Sequence, residues 1–189
     1  MRGVDCFSIV RIRHFKLESG DRMIQVYTGN GKGKTTAAIG LAVRASGAGL
    51  NVYIAQFVKG HFCSEHKALK KIKNIKIERF GRSCFIRHKP QEMDMVLAGN
   101  GLKKVRRIID GKKHRVIILD EINVALKLRL VSLKDVLDLI KYAPENVELI
   151  LTGRCAPRQI IQAADLVSRI SEVKHYYRQG CKARKGIEL

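Results

Sequence analysis

One stretch decides the fold: Val26-Tyr-Thr-Gly-Asn-Gly-Lys-Gly-Lys-Thr-Thr36. It continues a β-rich run that begins at Met23, and it leads into a helix-forming run that extends to Arg44. Glycines in such a loop let backbone N–H groups approach phosphate oxygens, and the N-terminus of the following helix adds partial positive charge. A glycine turn that binds nothing is the alternative, but a Gly-Lys-Thr-Thr string between a strand and a helix argues against it. The sequence therefore predicts a triphosphate site with ATP as its ligand.

The polar residues of this loop have types that suit phosphate and metal binding. Lys34 is placed to reach phosphate as a point charge, and the Thr35 hydroxyl is placed to hold Mg²⁺. The spacing departs from the usual phosphate-loop pattern: either Thr28 occupies the first glycine position, or Gly29 opens a loop one residue short, with up to about 3.5 Å less reach. Either alternative changes how the triphosphate lies. The predicted nucleotide-binding residues are Thr28, Gly29, Asn30, Gly31, Lys32, Gly33, Lys34, Thr35 and Thr36.

A second element places two carboxylates after a buried strand. Val116-Ile-Ile-Leu-Asp-Glu121 has four apolar residues followed by Asp120 and Glu121. In a parallel sheet such a strand ends at the edge where ligands collect, so either carboxylate can bind Mg²⁺ directly or through water. The alternative is that Asp120 only caps the segment that starts at Ile122. We predict Thr35, Asp120 and Glu121 as metal ligands, with the choice between the two carboxylates open.

Arg154 follows a third apolar run, in Leu151-Thr-Gly-Arg-Cys-Ala-Pro157. A guanidinium at this edge of the sheet can pair with a phosphate or with a leaving group. A surface arginine after a strand is also common, so the position alone leaves both alternatives open.

Length and composition predict one domain. The chain has 189 residues, of which 46% are hydrophobic, enough for one full core. We predict a single phosphate-loop domain over residues 23–189 and a weakly ordered N-terminal arm over residues 1–22. The apolar runs are too short for a membrane span and the N-terminus lacks a signal peptide's apolar stretch, so we expect a cytoplasmic protein. The cysteines are scattered and predict neither a disulfide framework nor a zinc site; they are Cys6, Cys63, Cys84, Cys155 and Cys181.

The charge is strongly basic. Thirty-seven Lys and Arg residues against 17 Asp and Glu give a formal net charge of +20, which attracts anions of any kind. The cations concentrate in residues 67–76, 103–115 and 182–185, with few aromatic residues between them to stack bases. This pattern favours solvated helix faces over a nucleic-acid footprint, although a nucleic-acid-dependent ATPase stays open as the alternative function.

Short apolar runs alternate with helical stretches along the whole chain, as a mostly parallel sheet covered on both faces requires. The fold class is therefore α/β, a three-layer P-loop NTPase-like (RecA-like) domain. We predict strands at residues 23–28, 52–57, 75–80, 115–120, 147–152 and 166–170. We predict helices at residues 34–46, 64–71, 90–109, 133–142 and 157–164.

Several motifs together resemble the ATP:corrinoid adenosyltransferases of the cobalamin pathway, in the phosphate-loop class. The resemblance runs from about Tyr27 to Glu188. Its motifs are Thr28-Gly-Asn-Gly-Lys-Gly-Lys-Thr-Thr-Ala-Ala38, Gln56-Phe-Val-Lys-Gly60, Leu119-Asp-Glu-Ile-Asn-Val-Ala-Leu-Lys127, Leu151-Thr-Gly-Arg154, Ala156-Pro157, Ala164-Asp-Leu-Val167, Glu172-Val-Lys-His175 and Ala183-Arg-Lys-Gly-Ile-Glu188.

The resemblance implies a transferase in adenosylcobalamin biosynthesis or salvage, in which a Co(I) corrinoid attacks the ribose C5′ of ATP and releases tripolyphosphate. ATP, Mg²⁺ and the corrinoid are the implied ligands, a flavoprotein is a candidate reductant, and a homodimer is the implied assembly. The unusual loop spacing fits an enzyme that turns the whole triphosphate into a leaving group. Lys32, Lys34 and Arg154 are the predicted catalytic cations, because negative charge develops on that leaving group.

The corrinoid side departs from the family pattern. Members carry an aromatic pair, Phe-x-Trp, after the third strand, which is thought to displace the lower ligand of the corrinoid. Here Gly81-Arg-Ser-Cys-Phe-Ile-Arg87 keeps Phe85, but Arg87 stands at the second position and the chain has no tryptophan. Phe85 is the predicted corrinoid contact, with a core role as the alternative. His175 is assigned no catalytic role, because an isolated histidine is more often structural.

Overall fold

Six strands among the described residues form one sheet. The computed structural model describes residues 22–60, 62–82 and 89–188. The strands are β1 (Met23–Thr28), β2 (Val52–Phe57), β3 (Ile75–Phe80), β4 (Val116–Asp120), β5 (Glu148–Thr152) and β6 (Leu166–Arg169). They lie in the order β3-β2-β4-β5-β1-β6, and each neighbouring pair is parallel.

Helices cover both faces of this sheet, so the predicted three-layer α/β fold is confirmed. The helices are α1 (Lys34–Gly47), α2 (Ser64–Leu69), α3 (Glu92–Asp110), α4 (Ile122–Lys127), α5 (Leu133–Tyr142) and α6 (Arg158–Ala163), followed by a 3₁₀ turn (Tyr176–Gln179). None of the described helices is both long and apolar enough to cross a bilayer.

Alternation along the strands builds two separate cores. In β4, Ile117 and Leu119 pack with residues of α3, α4, α5 and α6, whereas Val116 and Ile118 pack with residues of α1 and α2. Successive side chains of a strand point to opposite faces, and a parallel sheet that is covered on both faces needs apolar residues on both. This explains why the central strands are continuous apolar runs.

The predicted elements match the observed ones within one or two residues, and two short elements were not predicted. α3 begins two residues later than expected, because Gln91 caps it in a reciprocal arrangement with Asp94. α4 and the 3₁₀ turn were missed, since six and four residues are too short to show a helical period. Glu121, the residue before α4, has a φ of 60°, which lies in the left-handed region.

Most of the predicted N-terminal arm, residues 1–21, lies outside the described residues. Arg22, the last residue of that prediction, donates from Nη1 to the carbonyl oxygens of Lys141 and Ala143 at 3.1 and 2.9 Å. Those carbonyls lie at the C-terminal end of α5, where helix carbonyls lack intrahelical partners. Arg22 therefore ties the start of β1 to that helix.

Candidate functional site

The carboxyl ends of four strands gather buried polar residues at one edge of the sheet. The register pairs Gln56 of β2 with Asp120 of β4, and Tyr27 of β1 with Thr152 of β5. Gln56, Asp120, Thr152 and Thr28 are all buried. Buried polar groups are stable only when they are hydrogen-bonded, so this edge must carry a connected network.

The glycine loop runs from Gly29 to Gly33 and is held against the chain after β6. Gly29 has a φ of 100°, and a Cβ there would lie 2.3 Å from the carbonyl oxygen of Ile170. The Gly31 N–H donates to the same oxygen at 2.8 Å. Thr28 belongs to β1, so the loop opens at Gly29, which is the shorter of the two spacings considered.

The helix that follows the loop begins with a buried cation. Gly33 precedes α1 with a φ of 120°, and apart from Gly33 itself and its two chain neighbours no atom lies within 4 Å of the position a Cβ would take there. Lys34 is only 5% exposed, and its Nζ donates to the carbonyl oxygen of Gly31 at 2.6 Å. Burial lowers the pKa of Lys34, while the carboxylates of Glu121 and Asp120 oppose that shift. The loop thus presents open space beside a partly desolvated ammonium, as a phosphate cradle requires.

Asp120 is the centre of the network at the strand edge. Its Oδ1 accepts from the hydroxyls of Thr35 at 2.9 Å and Thr152 at 2.7 Å. Its Oδ2 accepts from the Gln56 amide at 3.0 Å. Two of the three predicted metal ligands, Thr35 and Asp120, are therefore brought into direct contact.

Glu121, the third predicted metal ligand, is held by its backbone rather than by its side chain. Its N–H donates to the Thr152 hydroxyl at 2.9 Å. Burial and the charge of Asp120 raise the pKa of Glu121 to about 7, against the opposing charges of Lys34 and Arg154. Hydroxyl and carboxylate oxygens are the ligands that Mg²⁺ prefers, and the chemistry of this donor set fits that ion.

The side chain of Lys32 contacts residues near the C-terminus. Its Nζ lies 2.7 Å from Glu188 Oε1 and 2.8 Å from the Tyr176 hydroxyl, and these hydrogen bonds raise the pKa of Lys32. The Glu188 carboxylate also accepts from the Tyr176 hydroxyl and from Arg184. The C-terminal motif Ala183–Glu188 therefore holds the glycine loop through Lys32.

The other predicted site residues occupy different surroundings. Arg154 is exposed, just after Gly153; its charge adds to the effect of burial in lowering the pKa of Lys34 and opposes the rise in the pKa of Glu121. Asn30 and Thr36 are exposed on the loop and on α1. Phe85 lies outside the described residues. His175 caps the 3₁₀ turn by accepting from the Tyr177 N–H at 3.1 Å, which is a structural role.

Sequence reasoning gave no role to Gln56 or His66, although both belong to the network. His66 Nε2 lies 2.8 Å from Gln56 Oε1, and both side chains are buried. One signal was present: a glutamine in the otherwise apolar run Val52-Tyr-Ile-Ala-Gln-Phe57 needs a buried partner.

Comparisons with known proteins identify the family of the chain. Residues 20–189 match the family described as ATP:corrinoid adenosyltransferase BtuR/CobO/CobP. The chain belongs to that family. It is similar to the corrinoid adenosyltransferase of Pseudomonas aeruginosa PAO1, with 32% identity over 169 residues that cover 88% of this chain and 83% of the relative. The corrinoid adenosyltransferase of Escherichia coli K12 is 31% identical over 166 residues, covering 88% and 85%.

A solved structure supports the fold of this adenosyltransferase-family chain. A KaiC-like protein from Pyrococcus horikoshii OT3 superposes with a TM-score of 0.55 and 17% identity, covering 82% of this chain and 74% of the other. At that identity the likeness concerns the fold alone.

Proposed function

We propose that the protein transfers the 5′-deoxyadenosyl group of ATP to the Co(I) of a reduced corrinoid and releases tripolyphosphate. The observation that carries the proposal is the buried Lys34 ammonium in a glycine loop, with Thr35 and Asp120 in contact beside it, in a chain of the ATP:corrinoid adenosyltransferase family. The cobalt lone pair forms a bond to C5′, the C5′–O bond breaks, and its electron pair leaves with the triphosphate. Cobalt is thereby oxidised from Co(I) to Co(III).

Charge stabilisation is the main task of the protein in this step. As the C5′–O bond breaks, the triphosphate gains negative charge, so nearby cations stabilise the transition state more than the ground state. Lys34 serves this purpose from inside the loop, and Arg154 is the proposed cation from the end of β5. Two of the three donors of the Lys32 ammonium are already taken by Glu188 and Tyr176. A general base is not required, because the cobalt nucleophile carries no proton.

Thr35, Asp120 and Glu121 are the proposed holders of Mg²⁺. When bound there, the ion supplies further positive charge to the triphosphate. The hydroxyl and carboxylate of Thr35 and Asp120 lie 2.9 Å apart, so one cation can reach both oxygens. Thr152 and Gln56 hold the Asp120 carboxylate in place from the side of the sheet.

The corrinoid side of the proposal rests on the family. Phe85 is the proposed contact for the corrinoid face, with Arg87 at the position where family members carry tryptophan. A flavoprotein reductant and a homodimeric assembly stay predictions from the same resemblance.

The products formed from ATP test the proposal. Purified protein is incubated with MgATP and chemically reduced cob(I)alamin without oxygen, and phosphorus NMR follows the nucleotide. We expect tripolyphosphate and an adenosylated corrinoid in equal amounts. ADP and phosphate, stimulated by DNA or RNA, would instead indicate the nucleic-acid-dependent ATPase, and ADP with a phosphorylated acceptor would indicate a small-molecule kinase. A reaction without the corrinoid is the control, and it should leave ATP intact.

A further inference from the structure

A buried polar chain connects α2 to the centre of the site. It runs from His66 through Gln56 to Asp120, and each of these side chains is at most 2% exposed. The links are 2.8 Å from His66 Nε2 to Gln56 Oε1 and 3.0 Å from Gln56 Nε2 to Asp120 Oδ2. Phe62 stacks on the imidazole with ring centroids 5.2 Å apart, so the ring is confined on that side.

The backbone N–H of Cys63 determines the direction of the hydrogen bonds between His66 and Gln56 and between Gln56 and Asp120. The Cys63 N–H lies 2.9 Å from His66 Nδ1, and an N–H can only donate, so Nδ1 carries no proton. The Cys63 carbonyl is farther from Nδ1, at 3.3 Å, and already accepts from the His66 backbone N–H at 3.1 Å. The neutral ring therefore carries its proton on Nε2 and donates to Gln56 Oε1.

This direction determines what Asp120 receives. With Oε1 facing the imidazole, Gln56 turns its NH₂ group toward Asp120 Oδ2. A rotated amide would bring a carbonyl oxygen against a carboxylate oxygen, and two acceptors repel each other in a buried site. The Gln56 amide is the donor that holds Oδ2, while Oδ1 faces the hydroxyls of Thr152 at 2.7 Å and Thr35 at 2.9 Å.

A metal site at α2 is the competing interpretation of the same residues. The ligand atoms of Cys63, Glu65 and His66 lie within 4.8 Å of one another. However, both ring nitrogens of His66 already have partners, and Glu65 pairs with Lys59 at 2.8 Å. An ion there would have to displace the Cys63 N–H or Gln56 from the ring and Lys59 from Glu65, so the geometry favours a relay over a ligand set.

We propose that His66 is a positioning residue that sets the amide orientation of Gln56 and, through it, holds Asp120 for a metal-bound triphosphate. The inference rests on the proposed function only in taking Asp120 to lie beside that metal. Residues behind a metal ligand typically change metal affinity by about 10- to 100-fold when they are removed.

Two substitutions separate this role from helix capping. In His66→Asn, the side-chain oxygen lies near the position of Nδ1 and can still accept from the Cys63 N–H, but the donor to Gln56 is lost. In His66→Gln, the amide nitrogen can reach the position of Nε2 and donate to Gln56, but the cap is lost. The two variants therefore keep opposite halves of the His66 contacts.

The measurement is Mn²⁺ binding in the presence of tripolyphosphate, followed by electron paramagnetic resonance, with thermal unfolding of the same samples. We expect His66→Asn to weaken Mn²⁺ binding about tenfold, at the low end for loss of a residue behind a ligand. His66→Gln should bind Mn²⁺ within about twofold of the unchanged protein, because one neutral hydrogen bond replaces another. Unchanged binding in His66→Asn, or equal losses in both variants, would overturn the proposal.

A second background tests the route through Gln56. In Gln56→Met the amide is absent, so adding His66→Asn should cause no further loss of Mn²⁺ affinity, whereas an undiminished further loss would contradict the relay. Neither measurement uses a corrinoid. A split between the two His66 variants in a protein that forms no adenosylated product would therefore refute the proposed function while leaving the relay in place.

Discussion

Lys34 and Lys32 stand two residues apart in one glycine loop, yet they occupy opposite environments. Lys34 is 5% exposed, donates to a loop carbonyl, and has its pKa lowered by burial. The side chain of Lys32 is 39% exposed, and its pKa is raised by hydrogen bonds to Glu188 and Tyr176. One lysine of the loop is therefore buried, and the other lies at the protein surface.

The surroundings of each lysine explain the difference. Lys34 begins α1 after Gly33, whose φ of 120° turns the chain into the strand edge occupied by Asp120 and Glu121. Lys32 precedes that turn and meets the C-terminal residues Tyr176 and Glu188. The surroundings of Lys34 suit contact with the triphosphate, whereas those of Lys32 suit holding the loop in place.

The largest effect is expected from Lys34→Ala. An ammonium about 4 Å from a phosphate charge at an effective dielectric near 20 contributes about 4 kcal/mol before desolvation costs, which corresponds to roughly a thousandfold in rate. Adenosyl transfer should therefore fall about a thousandfold, while circular dichroism should show an intact fold. Turnover close to that of the unchanged protein would refute the site assignment.

The next effect is a pH dependence of Mg²⁺ affinity, which distinguishes Glu121 from Asp120 as the carboxylate ligand. Since the pKa of Glu121 is raised to about 7, binding of a cation there competes with a proton, and Mg²⁺ affinity should be about tenfold stronger at pH 8 than at pH 6. Calorimetric titration of Mg²⁺ in the presence of tripolyphosphate measures this dependence. Glu121→Gln is the matched variant and should reduce this dependence to the part that tripolyphosphate itself contributes. The same profile in both proteins would leave Asp120 as the carboxylate ligand.

The raised pKa of Glu121 also makes the stability of the metal-free protein depend on pH. The folded-state pKa of Glu121 lies above its ordinary value of 4.5, so its contribution to stability is fully present below pH 4.5 and is lost as the pH rises through about 7. In EDTA, Glu121→Gln should therefore gain melting temperature relative to the unchanged protein more at pH 8 than at pH 5. An equal difference at both pH values would contradict the raised pKa.

The smallest effect is expected from Lys32→Ala, about tenfold or less in rate, because exposed ion pairs contribute little. A double-mutant cycle with Glu188→Gln shows how Lys32 acts. If Lys32 only fastens the loop through Glu188, the two substitutions together should cost no more than one alone. If Lys32 contacts phosphate, Lys32→Ala should retain its full cost in the Glu188→Gln background. The second result would restore Lys32 as a catalytic cation beside Lys34.

The surroundings of Lys34 could be predicted from the sequence better than those of Lys32. The order of Lys34 and Thr35 in the loop and the apolar run before Asp120 fix the strand-to-helix geometry locally, so their meeting could be expected. The partner of Lys32 is Glu188, 156 residues away in the chain, and no local pattern specifies such a contact. His66 was missed for a similar reason, because its link to Gln56 depends on where α2 lies against the sheet.

The central claim is that the sugar carbon of ATP, and not a phosphorus atom, meets the attacking atom. ATP labelled with ¹⁸O at the oxygen that bridges C5′ and the α-phosphorus tests it directly when the protein turns over with a Co(I) corrinoid. Cleavage of the C5′–O bond predicts that all of the label appears in tripolyphosphate, as read by mass spectrometry. Label that stays with the adenosine moiety would mean that a phosphorus–oxygen bond broke, and it would contradict the account.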